Sequence, residues 1–166
     1  MNTKKNSMND LYGKLLLFDS NLIELFTPAR SNIVHEFETF TKLDLPQDYI
    51  DFLHFTNGMS LMGDIIYGIY PEDMKVPFNL MVHYHIEHTE VDNVMYPYLI
   101  PFSPDGFGNH YCFDTIANNI VFWQHDYNYF DDKPDFVCDS FTDFLRDIII
   151  GWTLEEYDYH GNPKRK

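Results

Sequence analysis

The sequence predicts an α+β fold: a single domain in which N-terminal helices and a C-terminal helix pack on a curved, mainly antiparallel sheet. Three observations support this prediction. The length of 166 residues suits one domain. The first third has helical periodicity, and short β-branched and aromatic runs separated by turn signals follow it. We expect residues 1–10 to be disordered, residues 11–160 to form the domain and residues 161–166 to be a basic tail.

An early helix is predicted to begin at Thr27 and Pro28. Threonine is a good N-cap, and proline fits the first helical position because its missing N–H would have no intrahelical acceptor there. Ile33, Val34, Phe37 and Phe40 then recur near helical spacing.

The next segment, Leu45 to Gly58, reads LPQDYIDFLHFTNG and predicts a helix with both ends marked. Pro46 suits the first turn, and Tyr49 lies on the apolar face. Asn57 and Gly58 are typical of a left-handed stop.

The middle of the chain predicts strands. The turn signals Pro104–Gly106 and Asn118–Asn119 connect neighbouring runs, and connections this short make the strands antiparallel. Trp123 is expected in the core. The predicted strands cover residues 65–70, 98–102, 110–113 and 120–123.

The last helix is predicted from Ser140, an N-cap with Asp143 three residues later in a variant of the capping box. Phe141 and Phe144 begin its apolar face, and Gly151 is expected to end it.

The composition favours a protein partner over nucleic acid. Asp and Glu number 26 against 11 Lys and Arg, which gives a net charge of −15. Nucleic-acid affinity depends on basic side chains that displace counterions, so this charge disfavours it and attracts a basic partner instead. The apolar run at residues 15–18 is too short for a signal peptide or a membrane span. Two cysteines form no disulfide framework, and we expect a cytoplasmic protein.

Candidate catalytic and metal-binding residues have simpler explanations. His83, His85 and His88 form H-x-H-x-x-H, but no single regular element brings all three together, so we favour packing or surface roles and expect no metal. Cys112 with His125 resembles a nucleophile and base, yet Cys112 alternates with aromatic residues in a strand and is expected to be buried. The many carboxylates define no pair at a catalytic separation. We expect no catalytic residue and no cofactor.

Several residues at predicted strand ends have structural explanations. Asp105, Gly106 and Gly108 fit the backbone geometry of a hairpin. Asp114 is interpreted as a turn or cap former, and His125 as a polar tie between a turn and the sheet.

Residues 125–136, HDYNYFDDKPDF, form the candidate functional surface and are called the acidic loop below. Exposed aromatic rings act as binding anchors, while carboxylates steer a basic partner. The alternative is that the rings fold back over the sheet edge. The candidate partner-binding residues are Asp126, Tyr127, Tyr129, Phe130, Asp131, Asp132 and Asp135.

Taken in order, these blocks resemble the SUKH superfamily over residues 33–150, with Thr41 and Lys42 where a glycine often precedes the Leu-Pro pair. The resemblance implies helices around a curved sheet and no catalytic residues. In bacteria it commonly implies an immunity protein that neutralises a toxin; the founding member regulates yeast cell-wall glucan synthesis. The matching pieces are Phe37–Glu38, Leu45–Pro46, Tyr49, Phe52–Leu53, Asn57–Gly58, Ile100–Phe102, Asp105–Gly106, Gly108–Asn109, Tyr111–Asp114, Trp123, His125, Ser140–Phe141 and Phe144–Leu145.

The sequence therefore predicts a non-catalytic protein-binding domain, an immunity protein for a basic toxin domain such as a nuclease, as a monomer or weak dimer. Two alternatives remain open. One is a regulatory or scaffold module of the cell-wall regulator type, and the other is an uncharacterised hydrolase or metal-dependent enzyme.

Overall fold

The computed structural model, which describes residues 7–165, contains five helices and two antiparallel sheets in those residues, and it confirms the α+β class. The helices are α1 (Met8–Leu15), α2 (Ser31–Thr41), α3 (Gln47–Phe55), α4 (Leu80–His85, continued by a π-helical turn, Ile86–Glu90) and α5 (Phe141–Asp143, the π-helical Phe144–Gly151, and Trp152–Glu156). The strands are β1 (Ile23–Leu25), β2 (Met59–Leu61), β3 (Asp64–Ile66), β4 (Leu99–Pro104), β5 (His110–Asp114), β6 (Asn119–Trp123) and β7 (Asp135–Cys138).

Helix α1 begins earlier than the sequence suggested. Ser7 and Asp10 form a capping box, in which each side chain accepts a hydrogen bond from the backbone of the other residue. Residues 8–10, which we expected to be disordered, therefore form the first turn of a helix. Residues 1–6 lie outside the described part of the chain.

Helix α2 begins later than predicted, at Ser31 and not after Thr27. The backbone N–H of Ala29 donates a hydrogen bond to the carbonyl of Leu53 at 2.8 Å, and Arg30 is extended at φ −84° and ψ 147°. This tertiary contact with the end of α3 holds residues 27–30 out of the helix, so local cap preferences were overridden.

The two residues of the predicted stop after α3, Asn57 and Gly58, have different roles. Gly58 adopts φ +89°, the left-handed conformation that was predicted. The side chain of Asn57 instead reaches the next segment: its Nδ2 donates to the carbonyl of Ile69 and its Oδ1 accepts from the Ile69 N–H, both at 2.8 Å. Asn57 therefore ties α3 to the segment after β3.

The strands form two sheets where one curved sheet was expected. Sheet one has the strand order β1-β2-β3, and sheet two has the strand order β4-β5-β6-β7. The predicted strand at 65–70 is shorter, because after Ile66 the chain leaves the first sheet and the Tyr67 N–H donates to the Phe102 carbonyl of β4 at 2.8 Å. The Ser103 hydroxyl also donates to the Ile65 carbonyl at 2.6 Å, and these bonds join the two sheets.

Helix α5 begins at its predicted cap but does not end where predicted. The Ser140 hydroxyl accepts a hydrogen bond from the Asp143 N–H at 3.1 Å, which confirms the cap. The helix then passes through Gly151 to Glu156. A Cβ at Gly151 would lie 3.0 Å from the carbonyl oxygen of Arg146, so this glycine accommodates the π-helical backbone and does not end the helix.

Sheet two separates two hydrophobic clusters. Its inner face packs on the helices, where Tyr49 lies among aromatic rings such as Phe113 and Phe141, with centroid distances of 5.0 and 5.2 Å. Its other face carries a smaller cluster around Trp123. In residues 7–165 no helix is long and apolar enough to cross a membrane.

The C-terminal segment folds back on α5. Tyr157 and Pro163 form an antiparallel bridge, and the Lys164 N–H donates to the Glu156 carbonyl at 2.8 Å. Most of the basic tail expected at residues 161–166 is thus bonded to the domain, and Lys166 lies outside the described residues.

Candidate partner-binding surface

The acidic loop leaves β6 after Trp123 and enters β7 at Asp135. Its side chains divide into two sets. The four aspartates are all exposed, as are the rings of Tyr127 and Phe130, which are 48% and 85% accessible. These residues lie within positions 126–135, where carboxylates and aromatic rings face solvent.

Tyr129 does not belong to this exposed set. Its side chain is only 7% accessible, and its ring stacks on Trp123 at a centroid distance of 4.6 Å. Its hydroxyl accepts a hydrogen bond from the Gln124 N–H at 2.9 Å. The prediction of an anchor at this position is therefore corrected: the ring covers the sheet face, as the alternative interpretation required, and supports the loop from beneath.

Hydrogen bonds from the preceding segment fix the loop backbone. The Asn93 Nδ2 donates to the carbonyls of both His125 and Tyr127 at 2.9 Å. The Tyr96 hydroxyl donates to the Asp132 carbonyl at 2.8 Å. Between these two fixed points Phe130 adopts φ +45°, a left-handed conformation that projects its ring away from the sheet.

The β4–β5 hairpin supports the same end of sheet two. Asp105 accepts backbone hydrogen bonds from Phe107 and Asn109 at 2.8 and 3.0 Å, and although burial opposes the effect, these bonds and the Asn109 amide lower the pKa of its carboxyl. The Asn109 Oδ1 in turn lies 2.9 Å from Nδ1 of His125 and accepts its backbone N–H at 3.1 Å.

The two glycines of this hairpin have different surroundings. Gly106 and Gly108 adopt φ +82° and +94°. A Cβ at Gly106 would have no heavy atom within 4 Å, whereas a Cβ at Gly108 would lie 3.1 Å from the His125 ring. Gly108 therefore allows His125 to pack flat against the hairpin.

A cleft of about 230 Å³ lies at the opposite end of sheet two. At this end the Asp114 Oδ1 accepts backbone hydrogen bonds from Ile116 and Ala117 at 2.9 and 2.8 Å, which closes the β5–β6 turn. We call this feature the aspartate cleft. Its lining residues are Asp44, Leu45, Pro46, Asp48, Phe113, Asp114, Thr115, Asn118, Asn119, Ile120, Asp139, Ser140 and Phe141.

Comparison with known proteins decides the family. The SUKH_6 family model, described as SMI1-KNR4 cell-wall, matches residues 32–145, which is more than half of the chain. The chain belongs to the SUKH family. No curated protein matches it significantly.

In this SUKH domain the matched region includes both the acidic loop and the aspartate cleft. Three sequence-distant blocks that carry the family resemblance meet at the cleft, namely Leu45–Pro46, Phe113–Asp114 and Ser140–Phe141. The side chain of Asp48 joins two of them, because its Oδ2 accepts hydrogen bonds from the N–H and hydroxyl of Thr142 at 2.8 and 2.9 Å.

The histidines of H-x-H-x-x-H occupy helix α4 and face different partners. His83 stacks on Tyr67 at 4.2 Å, His85 lies 3.3 Å from Glu90, and His88 bonds the Tyr84 carbonyl at 2.7 Å. Within residues 7–165 no three His, Cys, Asp or Glu side chains are placed to hold a metal ion.

Cys112 and His125 also have separate surroundings. Cys112 is fully buried, its Sγ lies 3.8 Å from Met95 Sδ, and burial raises the pKa of its thiol. His125 bonds Asn109 in the hairpin.

Sequence reasoning missed a buried polar group beneath helix α4. His110 is 4% accessible and Glu87 is 8% accessible, and His110 Nε2 lies 3.2 Å from the Tyr67 hydroxyl. Glu87 belongs to the π-helical turn that continues α4, so its inward direction could not be derived from a regular helical period. The sequence also gave no sign that Asp44 and Asp139 would meet at one cleft.

Proposed function

We propose that this SUKH domain is an immunity protein, which binds a basic toxin domain and blocks it by steric and electrostatic occlusion. Immunity proteins are one established role within the family. The observation that carries the proposal is the exposed face of the acidic loop, where four aspartates stand beside the rings of Tyr127 and Phe130.

The construction of the loop suits a protein partner. Aromatic anchors with few rotatable bonds contribute most to affinity when the backbone that presents them is already ordered. Here Asn93, Tyr96 and Tyr129 hold that backbone through hydrogen bonds and ring stacking. Binding therefore has little loop-ordering entropy to overcome.

The charge of the loop suits a basic partner. Four aspartates stand against Lys133 alone within the loop, and the chain as a whole carries −15. A field of this sign speeds the approach of a cationic surface and weakens as salt screens it. A nuclease toxin has a cleft that accepts phosphates, and an acidic face would occupy it in their place.

The test starts with the product of the neighbouring gene, co-expressed with this protein and purified through a tag on one of them. We expect a stable complex in which the neighbour's toxicity is suppressed. A neighbour that is not toxic when expressed alone would contradict the immunity role.

The electrostatic part has its own test. The triple variant Asp126→Asn, Asp131→Asn, Asp132→Asn should slow association by about tenfold at low salt and flatten its salt dependence. A matched variant with three neutralised carboxylates at exposed positions outside the loop, Glu36→Gln, Glu72→Gln and Asp73→Asn, carries the same net charge and should associate faster than the loop variant. Equal association rates for the two would contradict steering by the loop.

The second candidate function is a regulatory or scaffold module, which the cell-wall description of the matching family favours. Under this proposal the same face would bind an endogenous protein. An isolated gene with cell-wall or signalling neighbours, and capture of a non-toxic partner, would support it over immunity. Neither proposal assigns a catalytic residue.

A further inference from the structure

The aspartate cleft is a second charged surface feature, and it is separate from the acidic loop. It lies at the β5–β6 turn, whereas the acidic loop lies beside the β4–β5 turn, at the other end of the same antiparallel strands. A partner seated on one would not cover the other unless it spanned the length of sheet two.

The floor of the cleft is apolar and fixed. Leu45, Phe113, Ile120 and Phe141 are each at most 6% accessible and belong to the main hydrophobic cluster. Their neighbours in the core leave them no alternative positions, because protein interiors are close-packed. The floor is therefore preformed.

The rim of the cleft is anionic. Asp44 and Asp139 are exposed and form no hydrogen bond or ion pair within residues 7–165. Asp114 uses Oδ1 for the β5–β6 turn, and its Oδ2 receives no hydrogen bond from the described residues. The lining contains no lysine, arginine or histidine.

The wall of the cleft also contains a hydrogen-bond acceptor that has no donor among the described residues. The Oδ1 of Asn119 is shielded from solvent and receives no hydrogen bond from the described residues. Buried polar atoms are nearly always paired, so this oxygen marks a place where the wall has unused hydrogen-bonding capacity.

These features together suit one cationic side chain with an apolar stem. At about 230 Å³ the cleft is smaller than the sites that hold drug-sized ligands, which begin near 300 Å³. Arginine fits best, because its guanidinium is weakly hydrated, donates in a planar fork to carboxylates and carries a stem that covers apolar surface.

We propose that the aspartate cleft receives an arginine side chain carried by an exposed segment of the protein partner. The proposal deepens the protein-binding function proposed above and rests on it. In this arrangement the stem lies on Phe113 and Phe141, while Asp44, Asp114 and Asp139 accept from the guanidinium.

The experiment is a titration of the ¹⁵N-labelled protein with the peptide acetyl-Gly-Arg-Gly-amide, followed by two-dimensional NMR. We expect saturable shifts of the backbone signals of Thr115, Asn119 and Ser140, with a dissociation constant on the order of millimolar. The same peptide with citrulline, which keeps the shape and lacks the charge, should bind at least about threefold more weakly.

Paired variants locate the site. Asp44→Asn with Asp139→Asn should weaken the arginine peptide about threefold to tenfold, whereas Asp73→Asn with Asp92→Asn, which changes the net charge equally, should change it less than twofold. Equal binding of the arginine and citrulline peptides, or shifts confined to residues 125–136, would overturn the proposal.

The outcome is separable from that of the immunity role, because the peptide titration needs no toxin. A protein that binds the arginine peptide at the cleft but has no toxic neighbour would keep this inference and lose the immunity proposal. A toxic neighbour that this protein neutralises, together with no arginine binding at the cleft, would overturn the cleft proposal and keep the immunity proposal.

Discussion

Glu87 and His110 face each other in the interior, with the Oε1 of the carboxyl 3.8 Å from the Nδ1 of the imidazole. This distance is too long for a hydrogen bond, and neither Glu87 Oε2 nor His110 Nδ1 has a hydrogen-bond partner within residues 7–165. Burial and, to a smaller extent, the neighbouring His83 lower the pKa of His110 to about 4, while burial raises the pKa of Glu87. Both groups are therefore held towards their neutral forms.

The first prediction is a loss of stability in acid that His110 causes. An unfolded histidine titrates near 6.5, so between pH 6.5 and 4 the unfolded state binds a proton that the folded state does not, and stability falls as the pH falls. Between pH 7 and pH 5 this term is about 2 kcal/mol. Urea unfolding at the two pH values should show a smaller loss in His110→Asn than in the original protein.

Glu87 acts in the opposite direction and provides the control. The pKa of Glu87 is higher in the folded state than in the unfolded state. Glu87 therefore lowers stability as the pH rises from its unfolded pKa through its folded pKa. The variant Glu87→Gln should therefore lose more stability than the original protein between pH 7 and pH 5. Identical losses in all three proteins would show that neither group titrates as described.

This pair also shows what sequence patterns can and cannot predict. His110 was placed in a strand from its β-branched and aromatic neighbours, and the strand is present. Its partner Glu87 lies in a π-helical turn, whose side-chain directions follow neither the helical nor the strand period. Local periodicity gave the elements, whereas this tertiary pairing depended on an irregular turn.

The same distinction applies to the two candidate binding surfaces. The acidic loop is contiguous, so composition alone indicated it, although burial of Tyr129 on Trp123 was only one of two alternatives. The aspartate cleft combines Asp44, Asp114 and Asp139, which are far apart along the chain and meet only after α3 and α5 dock. No local sequence pattern could therefore predict that these three aspartates lie at one cleft.

The second prediction concerns the amide of Asn57. Asn57→Ala removes both hydrogen bonds to Ile69 and leaves the backbone N–H and carbonyl of Ile69 without those partners in the interior. We expect the free energy of unfolding to fall by about 2 to 4 kcal/mol. Denaturant unfolding measures this, with the exposed Asn21→Ala as control, expected within about 0.5 kcal/mol of the original protein. A loss below 1 kcal/mol in Asn57→Ala would contradict the tie between α3 and the segment after β3.

The third prediction separates backbone strain from crowding at two glycines. Gly58 and Gly106 have similar left-handed φ values, +89° and +82°. A Cβ at Gly58 would lie 2.7 Å from the backbone nitrogen of Gly68, whereas one at Gly106 would meet nothing within 4 Å. Gly106→Ala should therefore lower stability by about 1 kcal/mol through strain alone, and Gly58→Ala by at least about twice that amount. Thermal and denaturant unfolding compare the two, and equal losses would exclude a role for the close approach to Gly68.

The fourth prediction separates the supporting ring of the acidic loop from the presented one. Tyr129→Ala removes a buried ring and should lower stability by about 3 kcal/mol, whereas Phe130→Ala, at an 85% exposed position, should leave stability within about 0.5 kcal/mol. Partner binding should respond in a different pattern. Phe130→Ala should accelerate dissociation of the partner complex, because an anchor ring contributes mainly to the residence time.

The comparison requires a second exposed ring away from the loop. Phe40→Ala on helix α2, at a 57% exposed position outside the acidic loop and outside the lining of the aspartate cleft, matches Phe130→Ala in removing an accessible ring. Surface plasmon resonance with the co-purified partner should give a dissociation rate at least about fivefold higher for Phe130→Ala than for Phe40→Ala. A Phe130 variant that dissociates as slowly as the original protein would show that the left-handed backbone at this residue presents its ring to solvent and not to the partner.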